Sequence, residues 1–88
     1  MLIITGTVNK TRSVNFKTGP ALFLELFVDH PDRPSQVFEI KLADGMSPDK
    51  FAKGATVSLA ISVGAKDSRL YYSALRTQPD GYPAITPA

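Results

Sequence analysis

Alternation of apolar and polar side chains with a period of two, repeated in five separate stretches, constrains this chain more than any other feature. Such a period puts successive side chains on opposite faces and marks a strand with one face in a core. In Leu2 to Val8 it sets Leu2, Ile4, Gly6 and Val8 against Ile3, Thr5 and Thr7. In Ala21 to Asp29 it sets Leu22, Leu24, Leu26 and Val28 against Phe23, Glu25 and Phe27. Ser35 to Ala43 turns Phe38, Ile40 and Leu42 inward, Ala55 to Val63 turns Val57, Leu59, Ile61 and Val63 inward, and Arg69 to Thr77 alternates about Leu70, Tyr72 and Ala74. A glycine such as Gly6 inside a strand marks a bulge or a barrel corner.

The connections follow from turn chemistry. Asn9 to Pro20 reads as a long hairpin or loop turning at Lys17-Thr18-Gly19-Pro20. His30 to Pro34 is a solvated connector, because its two prolines remove ladder donors. Between Met46 and Gly54 lies the one helix, two turns at most, with Ser47 as cap and Pro48 in the first position. It reduces to a turn if Phe51 simply plugs the open end of the core. Gly64 to Ser68 closes a second hairpin. From Gln78 onward three prolines and a glycine in eleven residues predict a loose, extended tail. The expectation is one all-β domain over residues 1–77 and a Pro-rich flexible tail over 78–88. Five strands with the longest break between the third and fourth match a Greek-key barrel of the OB type, and an SH3-like barrel has similar strand content.

Composition narrows the function by exclusion. No apolar run approaches 18 residues and the start lacks a signal-peptide pattern, so a cytoplasmic protein with no membrane partner is expected. There is no cysteine, and the single histidine, His30, sits in a proline-flanked turn away from any nucleophile context. The glycines stand singly at turns and form no phosphate cradle. The chain is therefore read as a non-enzyme with no cofactor, metal or small-molecule substrate.

Binding is what the residues favour. The first 24 positions hold Lys10, Arg12 and Lys17 and no acid, although the net charge is only +2. Phe16 lies in this basic stretch, and Phe23 and Phe27 follow on the outer face of the second strand. Lys41 is on the outer face of the third, with Arg69 and Tyr71 near the last hairpin. Rings for bases and cations for phosphates are the parts that sequence-tolerant single-strand binding needs. Glu25 and Glu39 share that face and are expected to pair with Lys41 or Arg69 across strands. The same rings would equally serve a protein-interaction or assembly module, and Phe16 would equally fold back as an anchor.

The block R-S-V-N-F-K-T-G-P-A-L-F-L-E-L-F-V-D, followed by V-F-E-I-K-L-A-D-G, resembles the filamentous-phage gene V family of helix-destabilising single-stranded DNA-binding proteins. The order of basic loop, aromatic strand ending in Val-Asp, Pro-containing turn and final hairpin is similar across nearly the whole chain outside the tail. The resemblance implies an OB-like homodimer that coats single-stranded DNA during replication of a phage or mobile element in a bacterial cell. It matches Arg12 and Lys17 to the family's basic wing and Phe27 to the aromatic before Val-Asp. Ala21 stands where the family has a tyrosine, leaving Phe16 or Phe23 as substitutes, and the last hairpin is short. A primosomal-type OB subunit is the nearest neighbouring reading, and RNA is an alternative ligand.

Overall fold

A computed structural model describes residues 1–87, with the backbone alone described for His30. The expected role of the His30 side chain in the connector thus lies outside the described residues. Six strands form, β1 (Leu2–Phe16), β2 (Gly19–His30), β3 (Arg33–Lys41), β4 (Thr56–Lys66), β5 (Arg69–Ala74) and β6 (Ala84–Thr86), with one 3-10 turn at Pro48–Lys50. Their order is β1-β2-β3-β5-β4-β6, and β1 also pairs with β4. The first five strands therefore close on themselves as an OB-like barrel with β6 outside it. Every pairing is antiparallel except β3 with β5, which meet in parallel at Ile40 opposite Tyr72 and Lys41 opposite Ser73.

Closure depends on β1 serving two neighbours. Leu2 to Thr7 pair with β4, Thr7 onward pair with β2, and a register shift falls between Val8 and Lys10. Gly6 sits at this corner, buried against the backbone of Phe27, as its place inside a strand predicted. Leu24, Leu26, Ile40, Val57 and Leu59 fill the interior with Val8, each almost wholly removed from water. Ser47 caps the 3-10 turn by accepting from the Asp49 amide, and Phe51 just beyond it is buried in the core cluster. The shorter alternative for this segment, a turn that plugs the barrel, is the one realised.

Both hairpins run further than their sequence suggests. Lys10 to Phe16 is strand, paired with Gly19 to Glu25, and only Lys17 and Thr18 turn. Those residues showed no apolar alternation because the hairpin beyond Leu22 leaves the barrel, where both of its faces meet water. The same overshoot extends β4 to Lys66, exposes Val63, expected inward, and leaves Asp67 and Ser68 as the turn. Arg33 and Pro34, expected in a connector, belong to β3 where it has a neighbour on one side only. Ser35 Oγ donates to Asp29 Oδ1 across that turn. β5 ends at Ala74, short of the expected Thr77.

The segment from Gln78 is a further correction. Ala84 to Thr86 pair with Thr56 to Ser58 as β6, and Ile85 packs on the core, so this part of the expected loose tail is sheet. Ala88 lies outside the described residues. Gln78 stands in for a missing ladder neighbour: its Oε1 accepts from Ala60 N, and its Nε2 donates to the carbonyls of Ala60 and Leu75, all at 2.9 Å. Among the described residues no helix is long and apolar enough to cross a membrane.

Candidate nucleic-acid interface

The register of the barrel assembles the outer face row by row. Arg12 lies opposite Phe23, Phe23 opposite Lys41, and Lys41 opposite Ser73. At about 4.8 Å between strands, this row crosses four strands in about 14 Å. Two residues further along the strands, Lys10 faces Glu25 and Glu25 faces Glu39. Two residues beyond that, Thr7, Phe27 and Val37 form a third row.

Within the first row the rings converge. Phe16, projecting at the tip of β1, meets Phe23 edge-to-face with centroids 6.2 Å apart, yet stays half exposed. Tyr71 on β5 is exposed to 49%, while Tyr72 points the other way and packs edge-on against Phe38 at 5.2 Å. The consecutive tyrosines thus divide between surface and core as their positions required. Phe16, Phe23, Lys41 and Tyr71, with Glu39, Leu70, Tyr72 and Ser73, line an open cavity of about 380 Å³. Two polar depressions adjoin it, one toward Thr18 and Asp44 and one toward Ser73 and Arg76, and Lys41 lines all three.

Phe27 is not part of this cluster. Four residues along β2 from Phe23, it stands about 13 Å away, beside the exposed Val37 and beyond the acidic row. Lys66, Leu70, Ser73 and Arg76 are the residues of this surface that sequence reasoning missed. Their signal is the parallel contact of β3 with β5, which no local pattern announces.

The electrostatics are mixed. Arg12 donates from Nη2 to Glu39 Oε2 at 2.7 Å, with its guanidinium carbon 5.8 Å from the centre of the Phe23 ring. Lys10 Nζ lies 3.9 Å from Glu25 Oε2, which also accepts from Asn9 Nδ2 at 3.2 Å. The acids therefore pair with β1, and not with Lys41 or Arg69 as expected. Each carboxylate of the adjacent like-charged pair receives its own cation, which relieves their repulsion. Among the described residues no carboxylate comes within 4.0 Å of Lys17, Lys41, Lys66 or Arg69. Lys66 and Arg69 pair at the tip of the second hairpin, on the face of Tyr71 and Ser73.

Compared with family models, curated proteins and solved structures, the chain matches none.

Proposed function

We propose that the protein binds single-stranded DNA without strong sequence preference, coating or protecting strands during replication of a phage or other mobile element. The supporting observation is the open cavity lined by Phe16, Phe23, Lys41 and Tyr71, with cations on both hairpins that have no carboxylate within 4.0 Å among the described residues. Exposed rings offer stacking faces to any base, and Lys17, Lys41, Lys66 and Arg69 are free to follow a phosphate backbone. Phe27 adds at most a separate contact, reached by a strand that crosses the acidic row.

Self-association belongs to this reading. Leu2, Val63 and Leu70 continue the barrel-facing side of the sheet past the end of the barrel and are exposed there. The facing edges of β3 and β5 are paired only at residues 40–41 and 72–73, which leaves open strand edges beside this apolar strip. A dimer that covers the strip would bring two ring clusters to one strand. Sedimentation should show a dimer that Val63→Lys, outside the ring cavity, splits into monomers.

The binding test is a gel shift with an oligo-dT 16-mer, set beside the same length of duplex. The single strand should shift and the duplex should not. Phe16→Ala and Tyr71→Leu should each weaken binding about fivefold or more, since a stacked ring contributes about 1–3 kcal/mol. A parent protein that shifts neither DNA, yet forms a stable complex with another protein, would favour an assembly module.

A further inference from the structure

We infer that the ring-lined cavity discriminates among bases, favouring one that carries an exocyclic amino group, and that Glu39 is the specificity-determining residue. The inference rests on the single-strand reading above.

An aromatic platform alone is indifferent to base identity, because every base has a π face. This cavity is not purely aromatic. Its lining holds one acceptor-only group, the Glu39 carboxylate, and one donor-only group, the Lys41 ammonium, beside Phe16, Phe23 and Tyr71. At about 380 Å³ it is at the small end of ligand pockets, a size suited to a single base.

Glu39 is tethered through one of its oxygens. Its Oε2 accepts from Arg12 at 2.7 Å, and Arg12 in turn lies over the Phe23 ring. Among the described residues Oε1 has no hydrogen-bond partner. A base stacked in the cavity thus has a lining carboxylate beside it with one oxygen available. Cytosine presents an N4 amino donor next to the N3 and O2 acceptors on one edge, matching Glu39 and Lys41 respectively. Uracil has a carbonyl oxygen in place of that amino group and would set it against the carboxylate.

The deciding experiment compares dC and dU 16-mers, which differ in the group at position 4 and in N3, an acceptor in cytosine and an N–H donor in uracil, at pH 8 where cytosine is neutral. The parent protein should bind the dC strand about fivefold more tightly, the net value of one ordinary hydrogen bond. Glu39→Gln, whose amide both donates and accepts, should bring the ratio within twofold. It should also tighten dU binding by releasing Arg12 to a phosphate. Glu25→Gln removes the same charge from the position opposite Glu39 on β2, outside the cavity lining, and should leave the ratio unchanged. Equal affinity of the parent for the two strands overturns the inference while leaving single-strand binding intact. A preference that survives Glu39→Gln, or that Glu25→Gln also erases, overturns it as well. If neither strand binds, the underlying reading fails and takes this one with it.

Discussion

A methyl group on Gly6 would sit 2.6 Å from the carbonyl oxygen of Phe27 and 3.2 Å from the Cβ of Leu26. Neither neighbour is a flexible tip that can swing aside, so the strands themselves would have to part. Gly6→Ala should therefore cost about 1–3 kcal/mol in urea unfolding, an overpacking penalty at the barrel's corner. Gln78 makes the opposite kind of demand, one of chemistry and not of space. Replacing it with Leu leaves the Ala60 amide and the Leu75 carbonyl without their side-chain partner, while the Ala60 carbonyl keeps the Leu75 amide, and should cost about 1–3 kcal/mol. Arg12 and Glu39 are both about half exposed, so their pair adds little to stability and its part is positional. Single residues were unevenly legible. Gly6, Phe16, Lys41 and Tyr71 could be singled out from neighbouring residues alone. Gln78 could not, because its role depends on where β5 ends and which amide that leaves open.

The two projecting hairpins and β6 are where the elements depart most from their sequence reading. Where strands line the barrel, alternation located them, since one face is buried and must be apolar. Beyond the barrel neither face is buried, alternation fades, and β1 from Asn9 to Phe16 resembled a loop. The turn that closes β4 to β5 holds Asp67 and Ser68 at φ of 53° and 62°, a left-handed pair that suits a tight hairpin but strains ordinary side chains. Ser68→Gly should raise stability by about 1 kcal/mol, read as a shift in the unfolding midpoint. β6 was hidden for a different reason: three residues between prolines carry too little pattern to be a strand by themselves. They become one because Thr56 to Ser58 offer an unpaired edge and Ile85 finds the core. Truncation after Tyr82 should cost about 1–2 kcal/mol, whereas a tail without contacts would be lost at no cost.

Taken whole, the molecule is a small barrel with two arms. Its radius of gyration is 12.8 Å, against about 12 Å for a compact chain of this length, as projecting hairpins require. The arms hold Lys17 at one tip and Lys66 with Arg69 at the other, with the ring cluster and Lys41 between them. That arrangement was legible only in part. Aromatic and basic residue types were visible in the sequence, but the meeting of β1, β2, β3 and β5 on one face required the closed topology. If Lys17, Lys41, Lys66 and Arg69 each neutralise one phosphate, log affinity should fall with log salt at a slope of about −3. Lys41→Ala, at the meeting point of the depressions, should make that slope shallower by about 0.7. The most direct measurement is the tyrosine emission of the protein, which has no tryptophan, titrated with a single-stranded 16-mer at several salt concentrations. Quenching by Tyr71 stacking, with affinity falling linearly on the logarithmic plot, is the predicted result. Emission that the strand leaves unchanged at low salt, or binding that salt does not weaken, would contradict the account.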